Sequence, residues 1–230
     1  GIGGATKYAI MKNQGNKKYN ESFMNTVFMA IVIGIIFFLT GIIFSGNIAT
    51  LLGANKQVYH MTSIYLKVLL MFGPAFVLNN VMNAFVRNDG NPRLSMIAML
   101  VGSFGNIILD YLLVIKFSMG MFGAVLATGF SPIMGLMVLS GHIVSENSNI
   151  KFKVAKIRAS FIKSIIMLGI PSFVAEMSSG IVIFVFNIII LGLQGNVGVA
   201  AYGVIANLAL VVISIYTGVA QGSQPLFSAA

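Results

Sequence analysis

Three polar residues near the middle of the sequence carry side chains that suit a small cation. Asn106 and Asp110 are four positions apart and therefore share one face of a helix. Thr128 lies in the next apolar segment, at a similar predicted depth. Oxygens of Asn, Asp and Thr at one level can bind a hard cation such as Na⁺ or hold a proton. The structural alternative is an ion pair between Asp110 and Lys67 of the preceding segment.

A second carboxyl group belongs to Glu176, in the stretch LGIPSFVAEMSSG. Pro171, five positions earlier, should loosen the helix and free carbonyls beside it. An unpaired glutamate in a low dielectric can carry a proton at physiological pH. Alternatively, a protonated Glu176 only bonds to a carbonyl of a neighbouring helix. Nearly the same helical face carries Ser179 and Asn187, which we predict to line a cavity.

Three asparagines, Asn79, Asn80 and Asn83, crowd one end of an earlier apolar segment. Two of them, Asn79 and Asn83, are further candidates for cavity lining, although interhelical hydrogen bonds explain them equally well. The five acidic residues are scattered singly and there is no Cys. No His/Glu metal set, Gly-rich phosphate loop or Ser/His/Asp arrangement appears, so we expect neither an enzyme nor a cofactor.

The elements that position these residues must be membrane-spanning helices. The sequence is 57% hydrophobic and 8% charged, against about 25% charged residues in ordinary soluble domains. Apolar segments long enough to cross a bilayer recur, and backbone groups in lipid must be satisfied within a helix. We predict an all-α membrane bundle with six spans, and with residues 1–11 as the tail of another. The spans are 23–44, 64–85, 94–115, 121–144, 164–193 and 199–222.

The distribution of lysine and arginine predicts the orientation of the bundle. Of the 14 basic residues, eleven fall at alternate junctions, two fall on the other side and Lys67 lies within a span. Loops rich in Lys and Arg stay in the cytoplasm. The net charge of +9 is therefore a topological signal, and we expect lipid rather than nucleic acid as the partner. The eleven are Lys7, Lys12, Lys17, Lys18, Arg87, Arg93, Lys151, Lys153, Lys156, Arg158 and Lys163.

The longest polar break, SENSNIKFKVAKIRAS at 145–160, separates two groups of spans. Its alternating basic and apolar residues predict a linker that lies along the cytoplasmic membrane surface. We accordingly divide the chain into a first lobe (1–144), a cytoplasmic linker (145–162) and the first two helices of a second lobe (163–230).

Several of these stretches resemble the MATE family, the multidrug and toxic compound extrusion transporters. The segment FVRNDGNPRLSMIAMLVGSFGNIILDYLLV resembles a loop and the following helix of that family, and GMFGAVLATGFS resembles its next helix. LGIPSFVAEMSSG and AYGVIANLALVVISIYTGVAQGSQPLFS are similar to the start of its second lobe. The Asn- and Met-rich composition is similar to the bacterial DinF/MepA-like branch.

The resemblance implies a twelve-helix transporter of two six-helix lobes, in which this chain runs from late in the second helix to the end of the eighth. In one branch a cation site combines an Asp on the first helix, an Asn-x-x-x-Asp on the fifth and a Thr on the sixth. Asn106, Asp110 and Thr128 match the last two helices. Other branches use an acidic residue on the seventh helix, where Glu176 lies closer behind Pro171 than the family pattern implies.

The function implied is a Na⁺- or H⁺-coupled antiporter that exports amphipathic or cationic compounds across the bacterial inner membrane, acting as a monomer. One alternative is a lipid-linked oligosaccharide flippase of the same superfamily. A cavity lined by arginine would favour it, and we predict Arg87, Arg93 and Arg158 to lie in loops. A membrane scaffold or receptor module, with a purely structural Asp110–Lys67 pair, is an alternative of another class.

Overall fold

The computed structural model describes residues 1–54, 56, 58–145, 148–152 and 157–229, most of which are helical. A long helical run, Ala159–Ala229, is interrupted at Gly195, whose φ of 63° and ψ of −155° are open only to glycine. It therefore comprises two spans. The helices in this part of the chain are α1 (Ile2–Asn13), α2 (Tyr19–Leu51), α3 (Tyr59–Met71), α4 (Gly73–Asn88), α5 (Pro92–Asp110), α6 (Gly120–Val144), α7 (Ala159–Gly195) and α8 (Val197–Ser223).

The predicted all-α membrane bundle is confirmed. Five of the described helical stretches are long and apolar enough to cross a membrane, and the bent pair α3–α4 makes a sixth. Helix α1, with 12 residues, is the predicted additional segment. Many large apolar side chains on the spans are exposed, among them Ile43 at 63% and Met167 at 61%. They face the lipid, which replaces water as the solvent for these helices.

The span predicted at 64–85 is not one straight helix. It bends by 46° between α3 and α4. Pro74 lies in the first turn of α4, where its missing N–H removes one bond to the preceding turn. The bend also seats α4 closely on α2, because a Cβ added at Gly34 would lie 2.8 Å from Cα of Pro74. The Gly73-Pro74 pair in the sequence is the signal for this break.

Helix α5 begins with a well-defined cap and ends in an irregular turn. Gly90 has a φ of +99°, and the Asn91 side chain accepts a hydrogen bond from the Leu94 N–H at 3.1 Å. Pro92 occupies the first turn, where no backbone donor is needed. At the other end, the span continues as a π-helical segment, Tyr111–Lys116. Such widened turns are frequent at functional sites, and this one starts directly after Asp110.

Replacing the capping residue should weaken this connection measurably. We expect Asn91→Ala to lower the free energy of unfolding by about 1 kcal/mol, because the Leu94 N–H loses its acceptor. Asn91→Ser retains an acceptor oxygen and should lose much less. Thermal unfolding of the purified variants in one detergent measures the difference, and equal stability of Asn91→Ala and wild type would contradict the assigned cap.

Aromatic side chains form the core at the end of the bundle where α1 and α4 finish and α5 and α7 begin. We call it the basic end, and it is the predicted cytoplasmic side. Tyr8 and Phe23 pack edge-on against Phe85, with ring centroids 5.4 and 5.0 Å apart. Ile150 joins this core and is 1% exposed.

The buried position of Ile150 corrects the prediction for the linker. Residues 148–152 are non-helical, and they pack onto the first lobe instead of lying along the membrane surface. Helix α7 begins at Ala159, inside the predicted linker range 145–162. Lys153 and Lys156 lie outside the described residues. The division of the chain into two lobes at this linker remains a prediction.

Candidate functional site

The antiparallel packing of α5 on α6 brings the three predicted cation ligands to one level. The Ser131 hydroxyl donates to the Gly102 carbonyl at 2.9 Å. Further along, a Cβ added at Gly123 would lie 3.0 Å from the Leu113 carbonyl oxygen. Asn106 and Asp110 lie between these two contacts on α5. Thr128 lies between the same contacts on α6, so the predicted equal depth is consistent with the helix register.

Two polar atoms of this group are buried without a hydrogen-bond partner among the described residues. They are Nδ2 of Asn106 and Oδ1 of Asp110. The Thr128 hydroxyl donates to the Ala124 carbonyl at 2.9 Å, and its oxygen keeps lone pairs that can accept. A buried polar atom without a partner is costly. A cation or proton at Asp110 would remove that cost, and this role remains a prediction.

The alternative partner of Asp110 lies elsewhere. Lys67 is exposed on α3. The ion pairs found within the described residues are Lys12–Asp89, His142–Asp89 and Arg158–Glu21. An Asp110–Lys67 pair is therefore absent from this part of the chain.

A cavity of about 940 Å³ separates α4 of the first lobe from α7 and α8. Glu176 lies on its wall, is exposed to it, and has no hydrogen-bond partner among the described residues. The backbone of α7 stays helical through Pro171, contrary to the predicted loosening, and the interruption comes only at Gly195. The polar side chains that line the cavity are Asn79, Asn80, Asn83, Arg87, Ser172, Glu176 and Gln221.

Asn79 and Asn83 combine the two alternatives predicted for them. Both line the cavity. Asn83 also donates to the Asn79 carbonyl at 3.1 Å and accepts from the Ser95 hydroxyl of α5 at 2.9 Å. The same residues thus join helices and present polar groups to the cavity; binding of a substrate there remains a prediction.

Ser179 and Asn187 do not join Glu176 at this cavity. The Ser179 hydroxyl donates to the Ala175 carbonyl at 3.3 Å, within its own helix. Asn187 lines a second, largely apolar cavity of about 540 Å³, between the α2–α3 connection and α7–α8. Leu51, Thr62 and Leu191 are among its other lining residues.

Arg87 corrects a second prediction. It lies in the last turn of α4 and not in a loop, it is 8% exposed, and it lines the larger cavity. Its Nη1 donates to Oε1 of Gln221 on α8 at 2.9 Å. This bond joins the first lobe to the second at the basic end.

Two further contacts close the basic end between the lobes. The Lys7 ammonium lies 4.0 Å from the centre of the Phe161 ring, a cation–π contact between α1 and α7. Gly3 allows the same helices to touch, because a Cβ there would overlap the Ile165 carbonyl and lie 2.7 Å from the Gly169 nitrogen. The cavity is therefore closed toward the basic end by direct contacts between the lobes.

The sequence analysis missed a buried carboxylate, Asp89, at this end. It accepts hydrogen bonds from Tyr8 and Lys12, both at 2.7 Å, and contacts His142 at 2.9 Å. Burial alone would raise the pKa of Asp89, but bonds from Lys12, Tyr8, His142 and the Asn149 N–H hold it below its usual range. The nearest of these partners is 53 positions away along the chain, so local sequence gave no signal beyond the acidic residue itself.

Six spans, a polar cavity between two helix groups and buried polar groups within a span describe a multi-pass membrane transporter. Comparisons with known proteins agree. The family model MatE matches residues 1–112. The multidrug export protein MepA of Staphylococcus aureus (strain MRSA252) is 30% identical over 233 residues, covering 99% of this chain and 51% of MepA. MepA of Staphylococcus saprophyticus gives the same identity and coverage.

A solved structure of the MATE multidrug transporter DinF-BH, in complex with a bound drug, has the same fold. Its TM-score is 0.89 at 24% identity, and the match covers 99% of this chain and 52% of that one. The chain belongs to the MATE family, whose members are transporters and not enzymes, and is a multi-pass protein of the cell membrane. It spans about half the length of the relatives that it matches.

Proposed function

We propose that this protein exports amphipathic and cationic compounds by alternating access, driven by the entry of Na⁺ or H⁺. The observation that carries the proposal is the 940 Å³ cavity between the lobes, with Glu176 on its wall and contacts that close it at the basic end. A closed end and a cavity of this size are what one state of an alternating-access transporter requires.

The lining of the cavity suits an apolar cation. Met29, Met99 and Phe173 provide adaptable or aromatic apolar surface. Glu176 supplies a carboxyl group that attracts a positive charge, or carries the proton that is exchanged for it. The names of the MepA relatives and the drug complex of DinF-BH support a drug-like substrate.

The Asn106–Asp110–Thr128 group is the proposed coupling site. It offers one carboxylate and two neutral side chains, which fits a single small monovalent cation or a proton. The group therefore has a donor set that could hold Na⁺. An ion can change the balance between outward- and inward-facing states only by binding one of them more tightly. The unpartnered Oδ1 of Asp110 gives a physical reason for such a preference.

The flippase alternative has less support. Within the described cavity lining there is one arginine, Arg87, opposed by the carboxyl group of Glu176. The MepA relatives are named as exporters. Drug export is therefore the proposal, and no observation specifically favours a lipid-linked cargo.

Substitution of Glu176 tests the role of the cavity. In cells loaded with ethidium, we expect Glu176→Gln to slow efflux by about tenfold, because loss of one charge contact worth about 1.4 kcal/mol corresponds to that factor. Glu21→Gln is the matched control, since Glu21 lies on α2 outside the cavity and its partner Arg158 is largely exposed. Equal ethidium efflux by Glu176→Gln and wild type, at equal amounts in the membrane, would refute the assignment of this cavity.

A further inference from the structure

Asp89 is a buried carboxylate for which the transport scheme above has no use. Its side chain has no exposed surface, and it joins four parts of the first lobe and the linker. The Asn91 amide lies 3.4 Å from His142 Nδ1, so a neutral His142 with its proton on Nε2 can donate to Asp89. We call the following residues the Asp89 cluster: Tyr8, Lys12, Asp89, His142, Ser148 and Asn149.

The cluster fixes the first part of the linker to the first lobe. Asn149 donates to Asp89 from its backbone N–H at 3.0 Å and from its side chain at 3.1 Å. Next to it, Ile150 lies in the apolar core, and Phe152 packs on Phe23 with ring centroids 5.2 Å apart. Asn20 of α2 completes the attachment, because its amide donates to the Asn149 carbonyl at 3.1 Å and accepts from the Lys151 N–H at 3.3 Å.

The contacts at the start of α7 are much weaker. Arg158 and Glu21 form an ion pair at 3.4 Å, with side chains that are 43% and 22% exposed. Exposed pairs of this kind contribute little, whereas removing one partner from a buried charge leaves that charge uncompensated. Any movement of the second lobe against the first will therefore break the contact at Arg158 far more readily than the Asp89 cluster.

We propose that Asp89 is a positioning residue that keeps residues 148–152 on the first lobe throughout the transport cycle. The second lobe then moves by breaking the Arg158–Glu21 and Lys7–Phe161 contacts, while the cluster stays intact. Asp89 acts through the linker, which sets where α7 starts relative to the first lobe. This inference rests on the proposed alternating access.

Two cross-links from neighbouring positions of α2 separate the two kinds of contact. The sequence contains no Cys, so paired cysteines are the only thiols in these 230 residues. One variant carries Asn20→Cys with Lys151→Cys, beside the cluster; the other carries Glu21→Cys with Arg158→Cys, at the start of α7. Each is treated in the intact protein with a short, reducible bifunctional thiol reagent, and ethidium efflux is measured before and after reduction.

The proposal predicts opposite results for the two variants. The 20–151 cross-link should leave efflux within about twofold of the untreated variant, and the 21–158 cross-link should block it until the reagent is reduced. Inhibition by the 20–151 cross-link that reduction reverses would overturn the proposal, as would unimpaired efflux with the 21–158 cross-link. Absence of ethidium export by wild type would instead overturn the proposed function, and this inference with it.

A substitution of Asp89 itself provides the second test. We expect Asp89→Asn to reduce efflux about tenfold and the 20–151 cross-link to restore it, because the cross-link replaces the lost attachment of the linker. In the same variant, a thiol introduced by Ile150→Cys should react about tenfold faster with a membrane-impermeant maleimide, whereas Glu21→Gln should leave its rate unchanged. Unchanged labelling in Asp89→Asn, or efflux that the cross-link does not restore, would rule out the positioning role.

Discussion

Asp110→Asn is expected to abolish ion-driven efflux while leaving membrane insertion intact. Asparagine has the size of aspartate but cannot carry the charge that attracts the cation, and it cannot release a proton. Loss of one charged contact, worth about 1.5–3 kcal/mol, lowers ion affinity by about 10–150-fold. Ethidium efflux into vesicles, driven by an imposed Na⁺ or H⁺ gradient, measures the effect, and immunoblotting of the membranes measures insertion.

Lys67→Gln is the matched control for this experiment. Lys67 lies on a neighbouring span but is exposed, and it forms no ion pair with Asp110. Its replacement should leave the dependence of efflux on the ion gradient unchanged. Gradient-driven efflux at wild-type rates in Asp110→Asn would remove Asp110 from the coupling mechanism. Loss of coupling in Lys67→Gln would restore the structural pair as the better explanation.

Gly3→Ala is expected to open the basic end of the cavity. The added Cβ would overlap the Ile165 carbonyl and lie 2.7 Å from the Gly169 nitrogen, and neither is the flexible end of a side chain. Overpacking of this kind costs about 1–3 kcal/mol, which shifts a two-state equilibrium by about 5–150-fold. We therefore expect the closed arrangement to lose population and ethidium efflux to fall by at least about tenfold.

The control for Gly3→Ala lies directly across the same contact. A Cβ added at Gly169 meets no atom within 4 Å, so Gly169→Ala adds the same methyl group without a clash. Spin labels on cysteines introduced at Asn16 and Lys163 should report a longer mean distance in Gly3→Ala than in Gly169→Ala. Identical distance distributions and equal efflux in the two variants would show that the α1–α7 contact does not set the closed state.

The spans were predictable because hydropathy acts over about twenty residues in one stretch of sequence. The break between α7 and α8 was anticipated for the same reason, since polar and glycine residues separate two apolar runs there. The bend after Phe72 was signalled by Gly73-Pro74, but a window of that length averages over it. Pro171 shows the converse: a proline inside a long apolar helix removed one donor without breaking the backbone.

The contacts at the basic end were not predictable from local sequence. Tyr8, Lys12 and Asn149 reach Asp89 from 81, 77 and 60 positions away. Arg87 was assigned to a loop because it adjoins Asn88-Asp89-Gly90, and only the extent of α4 places it on the cavity wall. Ile150 was interpreted as part of a surface linker, since its burial depends on a core built from other helices.

The central claim is that Asp110 binds the coupling ion, and the most direct measurement is its chemical protection. Purified protein is treated with a carbodiimide and an amine over a series of Na⁺ concentrations and pH values, and modification of Asp110 is followed by mass spectrometry, with Glu21 as an internal reference. The account predicts that Asp110 reacts more slowly as the coupling ion saturates its site, while Glu21 does not change. Reaction of Asp110 at a rate independent of Na⁺, and changing with pH only in parallel with Glu21, would contradict it.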